Sequence, residues 1–170
     1  EGLDFLGVEV SFGPTTQIFH AGRGATAFPN LLPGLLAMQR DQGRLPLATV
    51  MQPAIEFAEN GVPLSAQVAG IANILEPILT LTNETRALFA PHGHVLKAGE
   101  IFKSPDLAHL LRRVASGELT LIQNELLSHF GLPLGRLSAA DLAAQQVLTH
   151  TPVMVRLGDY DVALNPPPSS

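Results

Sequence analysis

Histidines are the residues of this sequence whose type could bind a transition metal, and six are present. His92 and His94 are the close pair, and residues two apart on a strand point to the same side. Zinc takes about four ligands, and with no cysteine in the chain the others would have to be Asp or Glu from elsewhere. Pro91 and Gly93 favour a surface loop here. We therefore predict an exposed loop rather than a metal site, and no cofactor.

Serine and paired carboxylates could support hydrolysis. A nucleophilic serine needs a base within hydrogen-bond reach and usually a strained turn such as G-x-S-x-G, and the sequence has no such pentapeptide. Ser65, Ser104 and Ser138 each precede a helical pattern, where a hydroxyl caps the helix N-terminus. Glu56 and Glu59 lie about one turn apart on a predicted helix, which is typical of a solvated face. Residue types alone therefore predict no catalytic residue in this chain.

The composition is apolar and poor in charge. Hydrophobic residues make up 46% of the 170 residues, charged residues 15%, and the mean hydropathy is +0.24. These values exclude a disordered chain and leave more apolar surface than a lone domain of this size usually covers. We therefore expect another segment or chain to cover part of this surface, and we interpret the sequence as part of a longer protein.

Charge and residue usage exclude several classes of partner. The net charge is −5, and no dense run of Lys or Arg is present, which argues against binding to nucleic acid or anionic lipid. The absence of cysteine excludes disulfides, thiolate metal sites and a cysteine nucleophile. The most apolar window, residues 31–38, contains Pro33 and Gly34 and is far shorter than the ~20 residues of a membrane span. No membrane span is predicted.

Hydrophobic periodicity and turn residues predict a helical middle bracketed by strands. Alternation predicts strands at about residues 8–20, and alternation on both sides of Gly158 and Asp159 predicts a hairpin at 153–164. Helical spacing, capping residues and terminal glycines predict helices across about 30–146. The expected fold class is α+β and predominantly helical, with residues 1–170 forming a single partial domain.

Individual residues sharpen this prediction. Asn30 is expected to cap the first helix, and Pro53 predicts a kink or a late start in the second. The third helix is expected to bury one apolar stripe, which consists of Val68, Ile71, Ala72 and Leu75. A later helix is expected to bury a second stripe, which consists of Leu119, Ile122, Leu126 and Phe130.

The stretch from Gly43 to Ser65 contains a long motif, G-R-L-P, then P-A seven residues later, then A-E-N-G-V-P-L-S. This motif resembles a stretch of the γ-glutamyltransferase family. Further similar segments follow in the family's order, at residues 87–89 with 96–100, at 105–111 and at 137–144. The P-P-P-S-S sequence at 166–170 is similar to the family's P-P-P-S-S-G-G element. The resemblance covers nearly the whole chain.

The resemblance implies a precursor with the αββα fold of N-terminal-nucleophile hydrolases, which cleaves itself into a large and a small subunit. In the family, the new N-terminal threonine of the small subunit is both nucleophile and base, and it lies downstream of the P-P-P-S-S element. The chain thus resembles an interior segment of the large subunit, so we expect it to contain no catalytic residue and to be inactive alone.

The implied partners are the remainder of the large subunit, the small subunit and a small-molecule γ-glutamyl or amide substrate. The family resemblance favours a periplasmic or secreted protein, and a cytoplasmic one is compatible with the sequence.

Leu6 marks a departure from the family pattern. Residues 3–5, L-D-F, resemble the start of the family's L-D-F-R-E motif, whose arginine binds the substrate, and Leu6 stands in the place of that arginine. An aliphatic side chain cannot form the bidentate, charge-assisted contact that a guanidinium forms with a carboxylate. Arg23 carries a guanidinium that lies nearby in sequence. The sequence alone does not show whether it lies close to Leu6 in space.

Three functions are therefore compatible with the sequence. The first is a segment of an enzyme for γ-glutamyl transfer or amide hydrolysis, with its threonine nucleophile outside this chain. The second is a non-catalytic family member that serves as a scaffold or binding segment. The third is an amidase or acylase of the same fold with a different acyl specificity, which Leu6 also suits.

Overall fold

The computed structural model describes residues 5–131 and 137–167. Strands β1 (Leu6–Ser11) and β2 (Thr16–Ala21) form an antiparallel hairpin in which Leu6 lies opposite Ala21. A short 3₁₀ turn, Arg23–Ala25, follows β2. Residues 3 and 4 of the arginine-motif resemblance and residues 168–170 of the P-P-P-S-S sequence lie outside the described residues.

Helices and short strand pairs follow the first hairpin. The helices are α1 (Leu31–Gln42), α2 (Leu47–Asn60), α3 (Ala66–Ile74), α4 (Glu76–Leu79), α5 (Asn83–Phe89), α6 (Pro105–Ala115), α7 (Leu119–Phe130) and α8 (Ala139–Ala144). The strands are β3 (Val62–Pro63), β4 (Ile101–Phe102), β5 (Val153–Leu157) and β6 (Tyr160–Leu164). Strand β3 pairs with β4, and β5 pairs with β6. The fold is therefore α+β and predominantly helical.

Helices α2 and α6 pack together and form the best-buried part of the chain. Ile55 and Ala58 of α2 meet Ala108 of α6, which is completely buried. The small side chains of Ala58 and Ala108 allow the two helix axes to approach closely. An ion pair between Glu59 and Arg112 joins the same two helices beside this contact. This pair of helices is the platform that positions the neighbouring segments.

The predicted serine caps are present in the structure. Ser65 Oγ accepts the Val68 N–H at 3.2 Å, Ser104 Oγ accepts the Leu107 N–H at 3.4 Å, and Ser138 forms a capping box. The expected cap at Asn30 is wrong, because its backbone is already helical and its side chain makes no cap hydrogen bond. Its carboxamide oxygen instead accepts a hydrogen bond from the side chain of Gln145, which directly follows α8.

The late helix start expected at Pro53 is also wrong, because α2 runs from Leu47 to Asn60 through this proline. The kink expected there stays a prediction. Proline removes the hydrogen bond that its N–H would donate to the carbonyl of Thr49, and its ring crowds that carbonyl. Thr49 and Pro53 are both exposed, whereas the buried Ile55 and Ala58 lie on the opposite side. Packing of that buried side against α6 therefore keeps the helix continuous.

Strands β3 and β4 form a third strand pair that the sequence analysis did not predict. Val62 lies opposite Phe102 and Pro63 opposite Ile101. The pairing continues beyond these strands, because the Leu64 N–H donates to the Glu100 carbonyl and the Gly99 N–H donates to the Leu64 carbonyl, each at 2.9 Å. The loop between α5 and α6 is thereby tied to the segment that follows α2.

The predicted apolar stripes are only partly buried. In α3 the buried residues are Ala69 and Ala72, because the segment around Val95 packs on the side that carries these alanines, whereas Val68 and Ile71 are exposed. In α7 only Ile122 of the predicted stripe is buried. No helix in the described part of the chain is long and apolar enough to cross a membrane.

Candidate functional site

Leu6 lies at the open end of the β1–β2 hairpin. On its face of the hairpin, Val8 and Val10 follow, opposite Phe19 and Gln17 respectively. Val10 is completely buried, and β1 contacts helix α4, whereas Leu6 is 53% exposed. The buried end of the strand therefore holds the exposed Leu6 side chain in place at a surface made of aliphatic and aromatic groups.

The opposite face of the same hairpin end is aromatic. The rings of Phe5 and His20 stack, with centroids 4.2 Å apart and an interplanar angle of 12°. Phe5 is also exposed, so both residues of the sequence Phe5-Leu6 present apolar groups to solvent. The Phe5 and Leu6 side chains suit an uncharged group better than a carboxylate, which needs hydrogen-bond donors.

Arg23 is the guanidinium closest in the chain to this hairpin end. It lies two residues after Ala21, the cross-strand partner of Leu6, in the 3₁₀ turn. The hydroxyl of Thr26 donates to the Arg23 carbonyl at 2.8 Å, which closes this turn. Arg23 is exposed and forms no ion pair with the residues that the structure describes. The turn therefore leaves its guanidinium available for an anionic group.

The histidine pair lies in the loop between α5 and α6. The rings of His92 and His94 are 6.2 Å apart, and His94 Nδ1 lies 4.0 Å from Glu100 Oε2. The Lys97 N–H donates to the Glu100 carboxylate at 2.7 Å, which lowers the pKa of that carboxyl, with the nearby histidines contributing less. Nowhere in the described ranges do three or more His, Asp or Glu side chains form a group that could hold a metal.

The other candidate side chains make local contacts. Glu56 accepts a hydrogen bond from the Gln52 side chain at 2.8 Å, and Glu59 pairs with Arg112. Ser104 is buried, and its hydroxyl caps α6. The structure therefore brings none of these residues together with Leu6 or with the histidine pair into one described cavity.

The sequence analysis missed an apolar groove between helices α1, α2 and α6, which we call the helical groove. Its volume is about 500 Å³, and its walls include Leu35, Met38, Val50, Met51 and Leu111. The excess of apolar residues indicated that a surface of this kind exists, since so few charges are available to cover it. Only the packing of three helices separated in sequence shows where it lies.

The sequence profile described as gamma-glutamyltranspeptidase matches residues 9–170. The chain belongs to the γ-glutamyltranspeptidase family. The match begins three residues after Leu6, so the comparison of Leu6 with the family's arginine rests on the short L-D-F resemblance. The family match extends across the helices of the described residues, α1 to α8, and across strands β2 to β6.

The chain is also similar in sequence to individual curated proteins. The chain is 25% identical over 154 residues to a glutathione hydrolase proenzyme of Bacillus subtilis, covering 86% of this chain and 26% of the relative. It is 28% identical over 157 residues to the acylase ACY 1 proenzyme of a Pseudomonas species, covering 88% and 28% respectively. The chain thus spans about a quarter of the length of the curated relatives it matches.

A crystal structure of the Bacillus anthracis transpeptidase CapD has the same fold. It superposes with a TM-score of 0.70 at 20% identity, covering 100% of this chain and 63% of that chain. The fold of this segment is therefore that of the corresponding part of CapD.

Proposed function

We propose that this chain forms part of the large subunit of an enzyme that hydrolyses an amide or transfers its acyl group. The observation that carries this proposal is the family match over residues 9–170. In the proposed reaction, a threonine hydroxyl outside this chain attacks the amide carbonyl, and the threonine's own amine takes the proton. The amine product leaves with a proton, and water or a second amine then releases the acyl group from the threonine oxygen.

In this proposal the β1–β2 hairpin end contacts the acyl group of the donor. Leu6 is exposed there, and its neighbours on the same face of the hairpin, Val8 and Ala21, are apolar. The L-D-F resemblance supports this role, since the family's arginine would stand at Leu6. In this proposal the parent enzyme is a γ-glutamyltransferase-like hydrolase that binds a donor carboxylate less tightly.

A second candidate is an amidase or acylase whose donor carries no α-carboxylate. The observation that favours it is the aliphatic Leu6 beside Phe5, because neither side chain can pair with a negative charge. A relative named as an acylase, at 28% identity, supports the same possibility. Arg23, which is exposed and unpaired in the described part of the chain, favours the γ-glutamyl donor instead.

The test compares the isolated 170-residue chain with the full-length precursor. Each is assayed with a γ-glutamyl anilide and with an aliphatic acyl anilide that has no α-carboxylate. We expect turnover by the precursor after it has processed itself, and none by the isolated chain, because the nucleophile is absent from it. Turnover by the isolated chain would refute the subunit assignment. Absence of turnover of both substrate types by the precursor would favour a scaffold.

A further inference from the structure

The helical groove is an apolar depression on the outside of the α2–α6 pair. Helix α1 forms one wall, and α2 and α6 form the floor and the other wall. None of the described residues that line it is charged, and the polar groups present are the carboxamides of Gln39 and Gln42 and the backbone around Gly43. The groove therefore presents almost continuous hydrocarbon over a volume of about 500 Å³.

The walls of the groove are incompletely covered. Leu35, Met38 and Val50 are 47%, 59% and 49% exposed, and none of the twelve residues of α1 is buried. One turn after Met51 on the same face of α2, by contrast, Ile55 is almost fully buried against α6. Soluble proteins rarely leave a contiguous apolar surface of this kind without a partner. Helix α1 is therefore only partly packed against its neighbours.

The walls determine which kind of segment can fill the groove. All three walls are helices, whose interior N–H and C=O groups are already paired within each helix. A strand placed there would bury backbone groups that find no partner, which is costly. A helix brings its own backbone hydrogen bonds and needs only an apolar stripe at positions i, i+3, i+4 and i+7.

The lengths of the related proteins indicate where this helix comes from. The matched curated relatives are about four times longer than the part that this chain spans, which is 26% of the glutathione hydrolase proenzyme. The CapD chain covers all of this chain and has 37% of its own length beyond it, since 63% is covered. We propose that an amphipathic helix of the same precursor, from outside residues 1–170, packs its apolar face into the helical groove. This inference rests on the proposed function, because it assumes the longer precursor.

Cysteine reactivity tests this proposal directly, because the chain has no native cysteine. Leu35→Cys places a thiol on the α1 wall, and Thr49→Cys places a matched control on the exposed outer side of α2. Each variant is made in the isolated chain and in the full-length precursor, with any cysteines elsewhere in the precursor replaced by serine. The rate of reaction with a maleimide is measured relative to the same variant unfolded in urea.

We expect both thiols to react rapidly in the isolated chain. In the precursor, Leu35→Cys should react about tenfold or more slowly, since a covered thiol reacts only from a minor open population, while Thr49→Cys stays reactive. A benzophenone maleimide on Cys at position 35 should then cross-link to a peptide outside residues 1–170 with apolar residues at helical spacing.

Other results would overturn the proposal. These are equal reactivity of Leu35→Cys in both proteins, equal protection of both positions, and a cross-link to residues 1–170 of a second copy. Protection of Leu35→Cys in the isolated chain by a retained small molecule would also overturn it. Amide turnover is measured separately on the unlabelled precursor. If the precursor is active but Leu35→Cys stays reactive, only the proposed occupant of the helical groove is refuted. If the precursor is inactive but the groove is cross-linked, only the proposed function is refuted.

Discussion

Leu6 is the residue at which the choice of acyl donor can be tested. An arginine at this position would form two parallel hydrogen bonds to a donor carboxylate, and a charge-assisted bond of this kind contributes about 1.5–3 kcal/mol. In the full-length precursor, Leu6→Arg is therefore expected to raise kcat/KM for a γ-glutamyl anilide by about tenfold or more. Steady-state kinetics of the purified variant measure this change.

The matched control is Leu157→Arg, which introduces the same charge at an exposed leucine of strand β5. It should leave kcat/KM for the γ-glutamyl anilide unchanged. An unchanged value for Leu6→Arg as well would show that Leu6 does not stand at the donor carboxylate, or that Arg23 already fills this role. The double variant Leu6→Arg with Arg23→Ala separates these two explanations.

Ser104 is a buried helix cap whose loss should be measurable. Its hydroxyl accepts the Leu107 N–H at the start of α6, the helix that packs on α2. Ser104→Ala leaves that N–H without a partner and should lower the free energy of unfolding by about 1 kcal/mol. Chemical denaturation measures it, with Ser128→Ala as control because that hydroxyl donates within α7 and caps nothing. Equal denaturation midpoints for wild type and Ser104→Ala would contradict the cap.

Among the helices and strands, sequence patterns predicted the features that depend on residues close together in the chain. The cap at Ser65 depends on residues one turn apart, so it could be predicted. The pairing of Val62 with Phe102 joins residues 40 positions apart, and two-residue strands show no alternation, so the sequence could not predict it. The late helix start predicted at Pro53 was wrong because tertiary packing of α2 on α6 outweighs one missing hydrogen bond on an exposed face.

Gly61 connects α2 to β3 and should not tolerate a side chain. Its φ is +86°, and an added Cβ would lie 2.5 Å from Ile101 Cγ2 in β4. Gly61→Ala is therefore expected to lower the free energy of unfolding by more than about 1 kcal/mol. Gly70→Ala is the control, because Gly70 lies inside α3 with nothing within 4 Å of an added Cβ. That variant should be neutral or slightly more stable. Thermal melts of both variants that shift alike would contradict this interpretation.

Arg113 joins α6 to α7 through two carboxylates. Its guanidinium contacts both carboxylate oxygens of Glu125 at 2.7 Å and one oxygen of Glu118 at 2.9 Å. These bonds hold the pKa of Glu118 and of Glu125 below the ordinary value of 4.5. A carboxylate with a lowered folded-state pKa stabilises the fold above its ordinary pKa, and this contribution is lost as the pH falls through the folded-state value.

Arg113→Gln should therefore reduce the melting temperature near pH 7, and the difference from wild type should shrink as the pH is lowered below 4.5. Melting curves recorded across this range measure the difference. Arg44→Gln is the control, since Arg44 is exposed and forms no ion pair within the described ranges. A difference that persists undiminished at low pH would contradict a role for these carboxylates.

At the scale of the whole molecule, the sequence predicted the family and the helical character but only part of the site. The motif from Gly43 to Ser65 lies within one continuous stretch, so a resemblance could be recognised from it. The helical groove combines α1, α2 and α6, and its position depends on packing that no local pattern contains. In the proposed mechanism the reacting threonine lies in another segment, and contact between the β1–β2 hairpin end and the donor's acyl group stays a prediction.

We propose that this chain belongs to a precursor that cleaves itself to expose a threonine nucleophile. The most direct measurement is intact-mass and N-terminal analysis of the full-length gene product, purified and incubated without any added protease. The expected result is two fragments, the larger containing residues 1–170 and the smaller beginning with threonine. A product that stays uncleaved, or that yields no fragment beginning with threonine, would contradict the proposed enzyme.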